Sequence, residues 1–298
     1  MKKKVLILGV AGMLGHIILH QLSQKEGLDV YGAVREIESV KNVFRPDILK
    51  KIRSGVDAEI FNTLIRALAS IQPDIVINCI GLIKQLPLAN DPLSSITVNG
   101  QIPHLISLIC RTAGARLIHI STDCVFDGRK GGYKENDPSD AKDLYGRTKY
   151  LGEVEYPHCI TLRTSIIGHE LKNKLGLIEW FLAQEGTIKG YTNAIFSGFP
   201  TVELTEIISS RVIPNPDLSG LYHVSSEPIS KYELLKLIAE KYGKKITIEP
   251  DDEFCCDRSL DSTRFQNATG YNPPAWPELI DKMYNRYRTV KFYGSSPI

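Results

Sequence analysis

The sequence GVAGMLG at residues 9–15 constrains the fold more than any other feature of this chain, because it joins two runs of different periodicity. The apolar run over 5–8 is typical of a buried strand, and the apolar spacing over 13–25 predicts a helix. Glycines at such a junction let the backbone approach a phosphate, which the free N–H groups of the helix start then bind. Glycine triplets also occur in plain tight turns, but this placement predicts a dinucleotide-binding turn. Its predicted cofactor contacts are Gly9, Gly12, Met13, Leu14 and Gly15.

Strand-like and helix-like runs alternate through the first half of the chain. The strands are short and apolar, and the helices carry their apolar residues on one face. Repeated strand–helix units predict an α/β fold, a doubly wound parallel sheet of the Rossmann type with helices on both faces. The predicted strands cover residues 5–8, 29–34, 74–79, 116–121 and 159–164, and the predicted helices cover 13–25, 58–70, 102–113 and 144–154.

The second half of the chain is less regular and predicts a smaller α+β domain that binds substrate. The boundary falls near residue 164, which gives a dinucleotide-binding domain over 1–164 and a mainly substrate-binding domain over 165–298. Some elements of the second part are expected to return to the Rossmann sheet. Helices are predicted over 176–184, 202–210, 231–242 and 276–288, and strands over 220–224 and 245–248.

Composition narrows the classes of partner. The chain has 298 residues, with 36 Lys and Arg against 34 Asp and Glu. So small a net charge predicts neither a nucleic-acid nor a membrane partner. The six cysteines form no CxxC pair, so no metal site is predicted and a reducing compartment is favoured. The basic start resembles a signal peptide, but glycines interrupt its apolar run, and we expect a cytoplasmic protein.

The end of the second predicted strand indicates which dinucleotide is bound. In a Rossmann sheet this point meets the adenosine ribose, and an acidic residue there favours NAD. Here Arg35 offers a cation to the 2′-phosphate of NADPH, whereas Glu36 follows directly and leaves NADH as the alternative. A solvated surface arginine is the plainer interpretation of Arg35. We predict NADPH as the cofactor.

The pair Tyr145 and Lys149 forms a YxxxK sequence on a predicted helix. Residues four apart share one helix face, so the phenol and the ammonium project into the same space. An ammonium nearby lowers the pKa of a phenol and prepares it to exchange a proton with a carbonyl or an alcohol. Such a pair is also common by chance on protein surfaces.

The sequence STDCVFDG at 121–128 begins where the predicted strand over 116–121 ends, and Thr122 lies 23 residues before Tyr145. Ligands of doubly wound sheets bind beyond the carboxyl ends of the strands. A hydroxyl there could polarise a substrate oxygen, although the same residues could simply form a turn. The glycine turn, the sequence at 121–128 and the YxxxK pair are mutually consistent in their order and spacing. Neither a chance surface pair nor a plain turn explains this consistency.

Together these motifs make the chain similar to extended short-chain dehydrogenase/reductases. More narrowly it resembles the dTDP-4-dehydrorhamnose reductase family of nucleotide-sugar 4-ketoreductases. The similarity covers roughly residues 5–168 and continues more weakly to about residue 280. It is carried by GVAGMLG, NCIG at 78–81, VN at 98–99, STDCVFDG, Tyr145 to Lys149 with GE at 152–153, and LRTS at 162–165.

The resemblance implies a role for each matching residue. Thr122, Tyr145 and Lys149 would be catalytic, and Lys149 would also hold the nicotinamide ribose. Asp57 would face the adenine, and Asn99 would support its own helix. The C-terminal part would bind the nucleotide diphosphate, and a homodimer is left open. At the end of the predicted strand over 74–79, the further cofactor contacts would be Cys79, Ile80 and Gly81.

Two departures from the family pattern bear on the substrate. Cys124 and Ile166 stand where aromatic residues are common, and both positions are expected near the hexose. The pocket would then be wider and would suit a bulkier C2 substituent such as N-acetyl, with Lys84 or Gln85 donating to its carbonyl. The predicted substrate contacts are Lys84, Cys124, Ser165 and Ile166.

The predicted function is NADPH-dependent reduction of the C4 ketone of a nucleotide-activated 4-keto-6-deoxyhexose. A UDP-2-acetamido-2,6-dideoxy-4-ulose is the favoured substrate, and the product would enter a surface polysaccharide. The alternatives are reduction of dTDP-4-dehydrorhamnose, an epimerase or dehydratase, and a catalytically silent dinucleotide-binding regulatory subunit.

Overall fold

A computed structural model describes residues 2–172 and 174–289. Its strands and helices are bounded as follows in chain order. The strands are β1 (Lys3–Leu8), β2 (Leu28–Ala33), β3 (Ile52–Arg53), β4 (Ile75–Asn78), β5 (Arg116–Thr122), β6 (Cys159–Thr164), β7 (Ile166–Ile167), β8 (Thr187–Tyr191), β9 (Ala194–Phe196), β10 (Phe199–Pro200), β11 (Gly220–His223), β12 (Ile229–Ser230), β13 (Thr247–Asp251) and β14 (Cys256–Asp257). The α-helices are α1 (Gly15–Leu22), α2 (Pro46–Leu49), α3 (Phe61–Ile71), α4 (Pro92–Ser95), α5 (Ile102–Ala113), α6 (Leu144–Leu151), α7 (Leu177–Ala183), α8 (Thr201–Ile207), α9 (Lys231–Tyr242), α10 (Thr263–Thr269) and α11 (Trp276–Thr289).

The main sheet has seven strands in the order β11-β6-β5-β4-β1-β2-β3, and all its pairs are parallel. This confirms the predicted doubly wound α/β fold. The strand order reverses between β1 and β4, where Leu8 pairs with Asn78. Ligands of such sheets bind in the crevice at this reversal, outside the carboxyl ends of the strands.

Alternation along the strands produces a core on each face of the sheet. In β1, Val5 and Ile7 belong to one buried apolar cluster, whereas Leu6 and Leu8 belong to the other. Because successive side chains of a strand point to opposite faces, a run that is apolar throughout requires cover on both sides. Helices α1 and α8 contribute to the first cluster, and α3 and α5 contribute to the second.

The helices that approach the site pack through glycine. A π-helical turn over Ile96–Gln101 leads into α5 and contacts α6. A Cβ added to Gly152, at the end of α6, would lie 1.9 Å from the Asn99 carbonyl oxygen. The two backbones therefore approach more closely than any side chain at this position allows.

The second half of the chain adds small sheets to the main one. Strand β11 pairs with β6 at the edge of the Rossmann sheet, whereas β7, β8, β9, β10, β12, β13 and β14 form three sheets of two or three strands. The sequence does not predict most strands of these sheets. A strand of two or three residues is too short to show a periodic pattern, and its pairing partner lies in a distant segment of the chain. Elsewhere α5, β6 and α9 have the predicted bounds, and the predicted strand over 245–248 lies at Thr247–Asp251.

Within the described ranges, no helix is both long and apolar enough to cross a membrane.

The Gly152 contact yields a test of the packing. We expect Gly152→Ala to lower the free energy of unfolding by about 2–3 kcal/mol, because the added methyl group overlaps the Asn99 carbonyl. Gly100→Ala on the same helix interface is the matched control, since its Cβ would lie 3.6 Å from Leu151 and Thr148. Urea unfolding measures both, and equal effects would contradict this account of the interface.

Candidate active site

The glycine turn lies against the end of β4. Gly9 has a φ of 84°, and its added Cβ would lie 3.2 Å from the carbonyl carbon of Cys79. A Cβ on Gly15 would lie 2.3 Å from the Gly9 oxygen, so the turn folds back on itself tightly. Only glycine fits at both points. The turn can therefore lie close against the end of β4, at the reversal in strand order.

The start of α1 is suited to an anion. No side chain caps this helix end at Leu14, and the His16 N–H donates to the Gly12 carbonyl in the turn. The positive end of the helix dipole therefore faces the glycine turn, which favours a phosphate there. The Leu14 side chain itself is buried in the core, so Leu14 can contact a cofactor only through its backbone. Met13 lies under the chain at Gly176, whose added Cβ would be 2.8 Å from the Met13 methyl carbon. This cradle fits the pyrophosphate of a dinucleotide.

Arg35 and Asp57 lie at one edge of the cradle. The Arg35 side chain is exposed just beyond β2, and its carbonyl accepts a hydrogen bond from Gly55. The Val56 N–H donates to Val34, which brings Asp57 to the same edge. The Asp57 carboxylate accepts from the Glu59 N–H at 3.0 Å. This edge is where the adenosine end of a dinucleotide would lie.

The chain after β4 passes between the cradle and α6. Cys79 continues the sheet by donating its N–H to the Leu8 carbonyl. A Cβ on Gly81 would lie 3.9 Å from the Lys149 Nζ. Asn99 accepts from the Leu82 N–H at 2.8 Å and donates to the Leu82 carbonyl at 3.1 Å. These two bonds hold residues 79–82 beside Lys149.

Thr122, Tyr145 and Lys149 come together at the carboxyl ends of β4 and β5. Thr122 ends β5, and its hydroxyl accepts from the Cys124 N–H at 3.1 Å. Helix α6 begins after Asp143, whose carboxylate caps it by accepting from the Gly146 N–H at 2.7 Å. The cap sets the direction in which Tyr145 and Lys149 project.

The charge states of this set suit proton donation. Burial, together with the nearby Cys124 sulfur, raises the pKa of Tyr145, and a hydrogen bond with Thr122 only partly opposes this rise. Burial also lowers the pKa of Lys149 to about 8, against the opposing charge of Glu153. Lys149 donates to the Ile120 carbonyl at 2.8 Å. At neutral pH the phenol therefore holds its proton and the ammonium its charge.

A buried ion pair lies behind the set. Arg163 on β6 donates to both carboxylate oxygens of Glu153, at 2.7 and 2.6 Å, and both side chains are almost fully buried. Ser121 on β5 donates to the same carboxylate at 2.7 Å. The carboxylate thus joins the end of α6 to two strands just before their carboxyl ends.

The predicted substrate residues separate into two groups. Lys84 and Cys124 lie beside Tyr145: the Lys84 Nζ is 2.7 Å from Asp143 and 5.4 Å from the centre of the Tyr145 ring. Burial raises the pKa of Cys124 to about 12, so its thiol is neutral. Ser165 and Ile166 lie beyond β6, where Ile166 pairs with β10 and packs partly against the core.

Arg258 was missed by the sequence reasoning. It lies 134 residues after Cys124, and its guanidinium is 3.9 Å from the Cys124 sulfur and donates to the Phe126 carbonyl at 2.8 Å. Nothing in its local sequence marks it, because only the return of the C-terminal part brings it to the site. A cleft of about 240 Å³ opens here, lined by Phe126, Asp127, Arg129, Ala141, Lys142, Asp143 and Arg258.

The glycine cradle at the strand reversal and the set of Thr122, Tyr145 and Lys149 define an oxidoreductase of the extended short-chain dehydrogenase/reductase class. A sequence model of the RmlD substrate binding domain matches residues 2–289, and the chain belongs to that family.

Individual relatives are distant. The chain is 26% identical to methionine adenosyltransferase 2 subunit beta of Danio rerio, over 98% of this chain and 95% of that protein. It is 27% identical to dTDP-4-dehydrorhamnose reductase of Aggregatibacter actinomycetemcomitans, over 71% of this chain and 80% of that protein. A solved dTDP-4-dehydrorhamnose reductase from Bacillus anthracis, in complex with NADP, has a TM-score of 0.77 at 21% identity, covering 96% of this chain and all of that one. This last likeness concerns the fold.

The ion pair behind the site predicts an effect on stability. We expect Glu153→Gln to lower the free energy of unfolding by about 3 kcal/mol or more, because it leaves the Arg163 charge buried without a counter-charge. Glu206→Gln is the control, since Glu206 pairs with Lys25 on the surface at 3.5 Å, and we expect a loss below about 1 kcal/mol. Urea unfolding compares the two, and similar losses would contradict the assignment.

Proposed function

We propose that this protein reduces the C4 ketone of a nucleotide-activated 4-keto-6-deoxyhexose with NADPH. The observation that carries the proposal is the meeting of Thr122, Tyr145 and Lys149 beside a glycine cradle at the strand reversal. A hydroxyl, a protonated phenol and an ammonium at one point suit proton donation to a carbonyl oxygen. In this proposal residues 1–164 bind the dinucleotide and 165–298 mainly bind the sugar nucleotide, and the enzyme works in the cytoplasm on precursors of a surface polysaccharide.

The residues act as follows in the proposed reaction. Tyr145 donates its proton to the C4 oxygen of the sugar, and the phenolate that remains is stabilised by the Lys149 ammonium. The Thr122 hydroxyl donates to Asp123 at 3.1 Å in the structure, and rotation of the hydroxyl redirects this hydrogen to the substrate oxygen. Bound NADPH would supply the hydride. The Tyr145 phenolate recovers its proton from solvent after product leaves.

The choice of NADPH rests on Arg35. Its exposed side chain at the end of β2 is free to reach a 2′-phosphate, and a guanidinium matches a phosphate through paired hydrogen bonds. Glu36 beside it would suit a 2′-hydroxyl, so NADH is the second cofactor to test. The solved relatives include both, one in complex with NADP and one, WbmG of Bordetella bronchiseptica, with NAD.

The cleft at Arg258 supports a nucleoside diphosphate as the handle of the substrate. Its lining includes Asp143, which caps the helix of Tyr145, and the cations Arg129, Lys142 and Arg258. Asp127 also lines the cleft and pairs with Arg129 and Lys142, which leaves Arg258 as the main candidate for the phosphate contact. Arginine binds phosphate through two parallel hydrogen bonds. A diphosphate at the cleft would leave the sugar extending toward Tyr145.

The identity of the sugar rests on Cys124 and Ile166. Both side chains are smaller than the aromatic residues common in the family at these positions. Cys124 lies directly beside the catalytic set, and space there suits a bulky C2 substituent. A UDP-2-acetamido-2,6-dideoxy-4-ulose is therefore the proposed substrate, ahead of dTDP-4-dehydrorhamnose.

Two other functions have specific support. An epimerase or dehydratase needs a group that removes a carbon-bound proton, and Asp123 is a buried carboxyl beside Thr122. However, it is a single acid with a pKa raised by burial. A non-catalytic subunit is supported by the relatives named as methionine adenosyltransferase 2 subunit beta, which match 98% of this chain. The intact catalytic set argues against it.

A substrate comparison separates these functions. The purified protein is supplied with UDP-2-acetamido-2,6-dideoxy-4-ulose or dTDP-4-dehydrorhamnose, each with NADPH or NADH, and consumption of reduced cofactor is followed at 340 nm, the nicotinamide absorption band. We expect the highest kcat/KM for the N-acetyl sugar with NADPH. A preference for the dTDP sugar would overturn the assignment of the C2 group, and an isomerised product without cofactor consumption would favour an epimerase. No reaction with either sugar would favour the non-catalytic subunit.

The role of Tyr145 is tested by Tyr145→Phe. This change keeps the ring and removes the acidic proton, so we expect kcat to fall by about 100-fold or more while NADPH binding is retained. Tyr31→Phe, on β2, controls for loss of a tyrosine hydroxyl away from the site. Steady-state kinetics and fluorescence titration of NADPH provide the measurements. Near-normal turnover of Tyr145→Phe would remove this residue from the mechanism.

A further inference from the structure

A second ammonium lies beside the catalytic tyrosine. Lys84 belongs to the segment after β4, and its Nζ lies 5.4 Å from the centre of the Tyr145 ring. The same Nζ is 2.7 Å from the Asp143 carboxylate, which caps α6 two residues before Tyr145. The two contacts place Lys84 across the start of the catalytic helix, 59 residues from Asp143 in the chain.

An ammonium in this position favours the phenolate over the phenol. A cation within about 6 Å of an aromatic ring is attracted by the ring face, and the attraction grows when the ring carries a negative charge. The reaction leaves that charge on Tyr145 once its proton has passed from the phenol oxygen to the sugar oxygen. Lys149 lies four residues after Tyr145 on α6, so the two ammoniums come from different segments of the chain.

We propose that Lys84 is a positioning residue that holds a positive charge against Tyr145, and that Asp143 sets the strength of this charge by pairing with it. The role in catalysis rests on the proposed reductase function, whereas the coupling between Lys84 and Tyr145 does not. The assignment replaces the role predicted for Lys84 in binding the C2 group of the sugar.

Asp143 has two separable effects. One carboxylate oxygen caps α6 through the Gly146 N–H, and the other accepts from Lys84. Burial acts to raise the pKa of Asp143, but the Lys84 bond and the cap leave this pKa below its ordinary value. Asp143 is therefore ionised at neutral pH, and its charge opposes that of Lys84 at Tyr145. Asparagine keeps the cap through its amide oxygen, whereas its NH2 group removes both the charge and the acceptor that Lys84 binds.

The other groups around Tyr145 stay constant in this comparison. Cys124 and Asp123 approach from the segment after β5, and both act to raise the pKa of Tyr145. Thr122 lowers it through a hydrogen bond. Arg258 lies beyond Cys124 and Asp123, and Lys149 follows on α6. None of these is changed in the variants below.

The experiment titrates Tyr145 directly in the full-length protein without substrate. Tyr145 alone is replaced by 2,3,5-trifluorotyrosine, whose three electron-withdrawing fluorines make the phenol acidic enough to ionise while Lys84 still holds its charge, and fluorine NMR spectra are recorded against pH. Every fluorine resonance then belongs to position 145. The variants are Lys84→Met, Lys84→Arg and Asp143→Asn.

Lys51→Met is the matched control. Lys51 also pairs with an aspartate, Asp29 at 2.6 Å, and also lies over a tyrosine, Tyr31 at 5.7 Å, on the far strands of the sheet. It reproduces the loss of a paired lysine without touching the site. Because both pairs are partly exposed, neither substitution should prevent folding.

We expect Lys84→Met to raise the Tyr145 pKa by about one unit and Asp143→Asn to lower it by a similar amount. Lys84→Arg should stay near the parent value, and Lys51→Met should leave it unchanged. An unchanged Tyr145 titration in Lys84→Met would overturn the proposal, and so would a shift of the same sign in Lys84→Met and Asp143→Asn.

Kinetics then test the consequence for catalysis. A weaker acid transfers its proton more slowly, so Lys84→Met should lower kcat by about threefold to tenfold with the KM for NADPH unchanged. The two proposals fail separately. Opposite titration shifts without any reductase activity would refute the proposed function alone, whereas reductase activity without the titration shifts would refute the role of Lys84 alone.

Discussion

The site depends on the buried pair of Glu153 and Arg163. Their side chains are 4% and 3% exposed, and two bonds below 2.8 Å join them. A charge buried to this degree is tolerable only with its partner in place, so the pair fixes α6 against β6 at one distance. Ser121 adds β5 to the same carboxylate. Thr122 follows Ser121 directly, and Lys149 lies one helical turn before Glu153, so the catalytic residues share this anchor.

Close backbone packing, together with the ion pair, positions α6 and the segment after β4. The end of α6 meets the Asn99 carbonyl across Gly152, and Asn99 in turn binds Leu82 through both its side-chain atoms. The segment after β4 is thus tied to the helix that carries Tyr145. The glycine turn presses against the start of that segment at Cys79. Cofactor cradle and catalytic helix are consequently positioned by one continuous set of contacts at the strand reversal.

The electrostatics of the site follow from the same packing. Burial favours the neutral phenol of Tyr145 and the neutral thiol of Cys124, and it weakens the hold of Lys149 on its proton. Charged groups then gather at the rim, where Lys84, Asp143 and Arg258 remain partly hydrated. In the proposed reaction the buried centre moves the proton, and the charged rim binds the anionic substrate and adjusts the acidity of the phenol.

The sequence by itself determined the parallel sheet, the glycine cradle and the shared helix face of Tyr145 and Lys149, because each depends on local spacing. The catalytic roles proposed for these two residues and Thr122 rest on the family resemblance. A strand, a glycine turn and a helix in this order are compatible with few folds. Residues four apart on a helix share one face in any tertiary surroundings. Tertiary structure alone decided that Arg258 reaches Cys124 and that Lys84 pairs with Asp143 over Tyr145. Those contacts join residues 134 and 59 positions apart, and no periodicity records them. They arise only when separate segments pack at the carboxyl edge of the sheet, where charge and distance select the partners.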